Sequence, residues 1–400
     1  MLKRLGGAVV VVVVVAASVV VASRGVTATA QSPDLVVHEW GTFTSIAGAD
    51  GQAVQWRPLI GPSDLPCFVT KLNPNSVKLD LNGGLPGLKA TVRMETPVLY
   101  FYSPSEQTVR ATVRFPQGLM SEWYPQPAVA PLTRIEWDNV RVTPGASENF
   151  PIEPDGSHYY AARETDAAPV SVNGQQEKFL FYRGVGNFRP PLSATIDRDG
   201  RVAVAQPAGT GIDTVILFER RAGRFGYRVA HADGKTLVLD RPALVDNVES
   251  LRAGLRGILA GEGLYPREAA AMVETWRDSW FEDGARLFYM LPQSAVDAIL
   301  PLQIDPKPGS VKRVFVGRME IVTPEIEAEV AEAMRTSNQV VLRRYGRFLE
   351  PISQVIQQKL AGRYDQQKAD NAMKLVATQS TRAACTAPTA PRPSGPASNQ

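Results

Sequence analysis

Polar and apolar residues alternate over much of the first 245 residues, and this period of two predicts strands. The segment 108–115 alternates without interruption, so we expect a strand with its valine, alanine and phenylalanine side chains buried. The continuous apolar runs 98–102 and 179–182 predict strands that are buried on both faces. Asp-Gly and Asp-Asn pairs favour the positive φ angles of tight turns. Three hairpins are therefore predicted, over residues 135–142, 195–202 and 227–239.

Helical periodicity begins near residue 246. Asp246 and Glu249 have the spacing of a capping box, in which each side chain bonds a free backbone N–H at a helix start. Pro266 predicts the start of a second helix, because proline is favoured in the first turn. A long helix is predicted from Pro324, and Pro351 is expected to kink or split it.

This order of elements predicts an α+β fold. We expect a β-rich, sandwich-like domain over residues 31–245, followed by an α/β and helical domain over residues 246–380. Residues 381–400 are rich in proline, alanine, threonine and serine, a composition that predicts a disordered C-terminal tail.

The first 30 residues have the pattern of a secretory signal peptide. Lys3 and Arg4 precede an apolar run over 8–22, and Ala28 and Ala30 provide a small-x-small cleavage site. The apolar run is short for a membrane-spanning helix, which needs about 20 residues. We therefore expect export to the periplasm or the extracellular space, with cleavage after Ala30. The alternative is an uncleaved segment that anchors the chain in the membrane.

Charge gives no indication of a nucleic-acid partner. The chain has 43 Lys and Arg and 40 Asp and Glu, and the first 30 residues hold three of the basic residues and no acidic one. The mature chain therefore has 40 of each, so its net charge is zero. A neutral chain without a basic cluster does not attract a phosphate backbone. A membrane contact is expected through the N-terminal segment alone, if it is uncleaved.

The two cysteines, Cys67 and Cys385, allow one internal disulfide in an oxidising compartment. The alternative is a buried Cys67 and an unpaired Cys385. The sequence has no His-Glu-x-x-His, Gly-x-Ser-x-Gly or phosphate-loop motif, and its three histidines are scattered. We therefore expect neither a metal site nor a cofactor.

Carboxylates beside aromatic residues are candidates for glycosidase chemistry, which needs two carboxyl groups a set distance apart. Glu39, Glu95 and Glu122 are the candidate catalytic residues, with His38 as an acid/base partner of Glu39. The alternative follows from strand geometry, since neighbouring side chains point to opposite faces. In that case the tryptophan that follows Glu39 or Glu122 is buried, the glutamate faces solvent, and His38 does not meet Glu39.

A ligand-binding role draws on aromatic and arginine side chains. Aromatic rings provide stacking surfaces for sugars, and arginines that flank Gly-x-Gly at residues 184–186 could clamp a carboxylate or a phosphate. The candidate binding residues are Trp40, Tyr102, Trp123, Tyr124, Arg183 and Arg189.

Several blocks of the sequence resemble a group of uncharacterised exported bacterial proteins. The blocks are 38–43 (His-Glu-Trp-Gly-Thr-Phe), 56–68, 93–102, 121–125, 179–188 and 263–324. They are distributed over most of the mature chain. The resemblance implies export and brings no activity or catalytic residues with it.

Two functions remain from the sequence. The preferred one is a non-catalytic exported protein that binds an extracytoplasmic ligand, either a glycan or an envelope protein, because aromatic-rich strands occur without a catalytic motif. The alternative is a hydrolase of glycosides or esters that uses the carboxylates named above. Whether the protein is an enzyme is left open by the sequence.

Overall fold

The computed structural model describes residues 31–59, 64–73, 88–129, 131–153, 156–232, 236–245 and 247–360. The predicted signal peptide, the predicted C-terminal tail and Cys385 lie outside these residues. None of the helices within the described part of the chain is long and apolar enough to cross a membrane.

The described residues form 17 strands. In chain order they are β1 (Gln31–Ile46), β2 (Thr70–Lys71), β3 (Val92–Tyr102), β4 (Gln107–Arg114), β5 (Gly118–Tyr124), β6 (Arg134–Val142), β7 (Val170–Val172), β8 (Gln175–Glu177), β9 (Leu180–Gly186), β10 (Ser193–Ile196), β11 (Val202–Ala205), β12 (Thr214–Arg221), β13 (Arg224–His231), β14 (Leu237–Leu239), β15 (Gly284–Leu291), β16 (Leu302–Asp305) and β17 (Lys307–Ile321).

The described helices fall mainly in the C-terminal portion. They are α1 (Val248–Gly261), α2 (Pro266–Thr275), α3 (Gln293–Ile299), α4 (Pro324–Thr336), α5 (Gln339–Arg344) and α6 (Leu349–Leu360), with short 3-10 helices at His158–Arg163 and Gly346–Phe348. The predicted α+β fold, with a β-rich N-terminal body and helices in the C-terminal portion, is confirmed.

A nine-stranded central sheet has the order β13-β12-β15-β17-β1-β3-β9-β5-β2. Strands β1 and β17 run parallel, and the other neighbours are antiparallel. Because β15 and β17 follow residue 246, the two portions on either side of the composition change share one sheet.

One face of the central sheet packs on two smaller sheets, with orders β16-β4-β6-β7-β8 and β10-β11-β14. The apolar core between them includes Phe43 and Phe315 of the central sheet and Val113 and Trp137 of the five-stranded sheet. The predicted alternation in 108–115 is confirmed, because its valine, alanine and phenylalanine side chains belong to this core.

Helices cover the opposite face, which we call the helical face. Trp40, Tyr100 and Phe181 of the sheet pack there with residues of α1 and α2 such as Leu255 and Met272. A third apolar cluster joins one end of β1 to α4, α5 and α6. The helical face is therefore covered by two separate groups of helices.

Two of the three predicted hairpins are wrong. The hairpin over 195–202 is confirmed as β10 and β11, with Gly200 at φ 79°. Residues 135–142 form the single strand β6, in which Asn139 has φ 54° and lies beside an irregularity in the pairing with β4. Asparagine tolerates positive φ, so the Asp-Asn pair makes a bulge there and no turn.

The third hairpin fails because tertiary pairing selects other partners. Strand β13 pairs with β12, whereas β14 pairs with β11. The apolar pattern of both strands was predicted, but their neighbours were not.

The helix ends differ from prediction at two places. Asn247 caps α1 through the backbone N–H of Glu249, while Asp246 lies outside the described residues. The long helix predicted from Pro324 ends at Ser337, which has φ 54°. Pro351 lies in the first turn of α6, where a backbone N–H has no partner within the helix, so it starts a new helix and kinks none.

Candidate functional site

A band of buried charged residues, with two threonines among them, crosses the helical face of the central sheet. It extends over the neighbouring strands β15, β17, β1, β3, β9 and β5. We call this group the charged band, and its members are Arg286, Arg318, Glu320, Thr42, Thr44, Arg93, Glu95, Arg183 and Glu122. Each is at most 9% exposed.

Strand register brings the members of the charged band together. Thr44 of β1 lies opposite Arg93 of β3 on one side and Arg318 of β17 on the other. Thr42 lies opposite Glu95 of β3. Residues directly opposite one another share a face of a sheet, so these side chains lie side by side.

Ion pairs connect the band to the elements above it. Arg183 holds Asp64 with two hydrogen bonds of 2.7 and 2.9 Å, and His158 lies 3.4 Å from the same carboxylate. Arg347 lies 2.9 Å from Glu95. The Asp64 side chain is 38% exposed, so the band meets solvent at this end.

The arginines keep two carboxyl groups ionised. Burial raises the pKa of the Glu95 carboxyl, but the positive charges of Arg347, Arg93 and other arginines outweigh it and lower the pKa below its ordinary value. Burial also raises the pKa of Asp64, and Arg183 outweighs that effect, so the pKa lies well below its ordinary value. A glycosidase needs a carboxyl group that is protonated at the working pH. Glu95 is therefore poorly suited to donate a proton.

Backbone strain lies within the same region. Thr96 is buried and has φ 48°, a conformation that is costly for a β-branched residue. The pairing of β3 with β9 shifts register between Met94 and Val98, around this residue. The Thr96 hydroxyl accepts a hydrogen bond of 3.2 Å from Arg183. The strained residue thus positions an arginine of the charged band.

Glu39 and His38 face opposite sides of the central sheet. Glu39 is fully buried on the side of the smaller sheets, where Arg313 and Tyr182 each donate a hydrogen bond of 2.5 Å to it. His38 lies on the helical face, with Nδ1 2.7 Å from Glu268. The two residues do not form a pair, as the strand geometry considered above implies.

A separate open pocket of about 320 Å³ lies beside the end of β3. We call it the tyrosine pocket; its lining includes Tyr102, Asp34, Ser103, Pro104, Pro144 and Asp166. The Tyr102 ring is held between His38, at a centroid distance of 5.4 Å, and Tyr265, at 4.8 Å. One of the predicted binding aromatics therefore forms the wall of a pocket.

The Tyr102 hydroxyl stays protonated. Burial raises its pKa, and the negative charge of Glu268 raises it further. The phenol therefore acts as a neutral group at physiological pH, as does a typical tyrosine in a binding site.

The other predicted binding aromatics are buried. Trp40, Trp123 and Tyr124 are 0%, 2% and 4% exposed, and they pack within the apolar clusters. Arg183 does clamp a carboxylate, but the carboxylate is Asp64 of the same chain. Arg189 donates a hydrogen bond of 2.6 Å to Gln52 at the surface.

Glu95 and Glu122 both belong to the charged band, and each lies close to an arginine. Arg93 lies 4.0 Å from Glu122, and Ser121 donates a hydrogen bond to that carboxylate.

Cys67 is disulfide-bonded, and its predicted partner, Cys385, lies outside the described residues. Within the described residues, no group of three or more His, Cys, Asp or Glu side chains could hold a metal ion.

Sequence patterns did not identify Arg93, Arg318, Thr44 or Asp64 as site residues. A signal was present, because Arg93 and Arg318 interrupt long buried strands at 92–102 and 307–321. A charged side chain in such a strand needs a buried partner of opposite charge, and only the order of strands in the sheet shows which residue that partner is.

No protein-family model and no curated protein matches this chain.

Proposed function

We propose that the protein is exported and binds a glycan in the tyrosine pocket without catalysing a reaction. The observation that carries the proposal is an open pocket of about 320 Å³ with an aromatic wall and two aspartates. Ligand pockets typically combine apolar walls with a few polar groups that orient the ligand.

Each wall of the pocket offers a contact that suits a sugar. The Tyr102 ring presents a flat apolar surface, and Asp34 and Asp166 are exposed. Asp166 already accepts a hydrogen bond from Arg267 through Oδ1, so its Oδ2, like both oxygens of Asp34, is the acceptor for sugar hydroxyls. The ring is held by His38 and Tyr265, so little conformational freedom is lost when a ligand binds.

Export is supported by the pattern of residues 1–30 and by the disulfide-bonded state of Cys67. Disulfides persist in oxidising compartments such as the periplasm and are rare in the cytosol. The other partner expected from the sequence is an envelope protein, and binding to such a protein without binding to any glycan would favour it over this proposal.

The hydrolase alternative has weaker support. Glu39 lies on the opposite face of the sheet from Glu95 and Glu122, and arginines hold Glu95 in its ionised form. Among the described residues, no observation favours a protonated carboxyl group beside a second carboxylate in an open cleft.

The test is a glycan-array screen of the mature chain, followed by calorimetric titration of the best glycan. Replacing Asp34 and Asp166 together by asparagine should weaken binding about tenfold, since each loses a charge-assisted hydrogen bond. Asp213→Asn is the matched control, because Asp213 is an exposed aspartate that lines a different pocket. Unchanged affinity in the double variant, or binding to an envelope protein and to no glycan, would contradict the proposal.

A further inference from the structure

The charged band contains hydrogen-bond donors that are not paired with any acceptor in the protein. Among the described residues, a group of buried donor atoms in and beside the band has no hydrogen-bond partner. They are Thr42 Oγ1, Thr44 Oγ1, Trp56 Nε1, Arg93 Nε, Arg183 Nε, Arg286 Nε and Arg318 Nη1. One acceptor of the band, Glu95 Oε1, also has no hydrogen-bond partner, although Arg347 lies 2.9 Å from it. Buried polar groups are nearly always paired in native proteins. Donors outnumber acceptors in this group, and the excess points to a bound species that supplies acceptor oxygens.

Three of these donors occur in one row across adjacent strands. Thr44 lies between Arg93 of β3 and Arg318 of β17, each directly opposite it in register. The Cβ atoms of opposite residues are about 5 Å apart in a sheet. We call these three residues the arginine row. Their free donors therefore lie on three adjacent strands of one sheet face.

Arg93 is the least compensated cation of the row. Arg318 has carboxylate oxygens of Glu282 and Glu320 at 2.6 Å each, whereas the nearest carboxylate to Arg93 is Glu122, at 4.0 Å. The hydrogen bond from Arg93 to the Pro58 carbonyl satisfies a donor but not the charge. Burial accordingly lowers the pKa of the Arg93 guanidinium. Negative charge is favoured most beside this residue.

We infer that the arginine row is a binding site for a tetrahedral oxyanion, phosphate or sulfate. Arg93 contributes the least compensated charge of the row and its Nε–H, Arg318 contributes an Nη1–H, and Thr44 contributes its hydroxyl. A tetrahedral anion presents oxygens in several directions and accepts from all three donors, whereas a carboxylate presents two oxygens in one plane. This site is separate from the tyrosine pocket and does not depend on glycan binding.

The experiment is a calorimetric titration of inorganic phosphate, sulfate and acetate, each separately, into the mature chain, at constant ionic strength set with sodium chloride. Thr44→Val removes one donor and retains the shape of the side chain. Arg93→Lys retains the charge and removes the Nε–H. Thr275→Val is the matched control, because Thr275 is also buried with an unpartnered hydroxyl, but it lies on α2 outside the charged band.

Wild-type protein should bind one phosphate or sulfate saturably, and Thr44→Val and Arg93→Lys should each bind about tenfold more weakly. Thr275→Val should bind as wild type does. Absence of binding above the chloride background, equal affinity in all variants, or acetate binding as tight as phosphate would overturn the inference. Should Thr44→Val fail to fold, the comparison of Arg93→Lys with Thr275→Val decides the question.

Discussion

Replacing Glu39 by glutamine tests whether this residue serves the fold or a reaction. Glutamine has nearly the same shape, and its amide oxygen accepts one of the hydrogen bonds now donated by Arg313 and Tyr182. The change therefore removes the charge and leaves the packing. Arg313 is then a buried cation without its buried partner, since both side chains are at most 1% exposed.

The size of the effect follows from the remaining contacts of Arg313. Removing one member of a buried ion pair costs about 3–5 kcal/mol. Arg313 keeps hydrogen bonds of 2.8 Å to Asp297 and 2.7 Å to the Leu300 carbonyl. These contacts place the loss at the lower end, about 3 kcal/mol. For a chain of this length, about 2 °C of melting temperature accompanies each kcal/mol, so the decrease should be about 6 °C.

The assay is thermal unfolding at pH 7, followed by circular dichroism, with glycan affinity measured on the same samples. Glu249→Gln is the control, because Glu249 forms an exposed pair with Arg252 that contributes about 0–1 kcal/mol. Glu39→Gln should melt lower and keep wild-type glycan affinity. A melting temperature within 1 °C of wild type would refute the argument from the buried pair.

Two further predictions concern pH and backbone strain. Burial raises the pKa of Glu325, but hydrogen bonds from Arg241 outweigh it and lower the pKa to about 2. A carboxyl group with a lowered folded-state pKa stabilises the fold above its ordinary pKa of about 4.3, and this contribution is lost as pH falls towards 2. Because the carboxylate is 42% exposed, Glu325→Gln should cost only about 1 kcal/mol at pH 7. The cost should be smaller at pH 2, where the carboxyl is about half protonated, and an equal loss in denaturant titrations at both pH values would contradict this. Thr96→Gly should be more stable than Thr96→Val by about 1–2 kcal/mol, because both variants lack the hydroxyl and only glycine relieves the backbone strain at φ 48°. Urea denaturation measures the difference, and equal midpoints for the two variants would show that the conformation is not strained.

The sequence was sufficient for features that depend on neighbouring residues. Alternation identified β4, the Asp-Gly pair identified the β10–β11 hairpin, and prolines at 266 and 324 marked the starts of α2 and α4. These features follow from backbone preferences and from the period of two or 3.6 residues, which act within about ten residues. The candidate wall of the tyrosine pocket, Tyr102, was also named from sequence, but its pocket was not.

The tertiary structure decided every pairing between distant residues. Strand β1 pairs with β17, and this contact brings Arg313 to Glu39 and Arg318 to Thr44. The period of a strand shows which side chains share a face, but it carries no information about which strand lies alongside. The charged band and the arginine row exist because sheet order places charges from five strands beside the threonines of β1, so their chemistry could be found only once the neighbours of each strand were known.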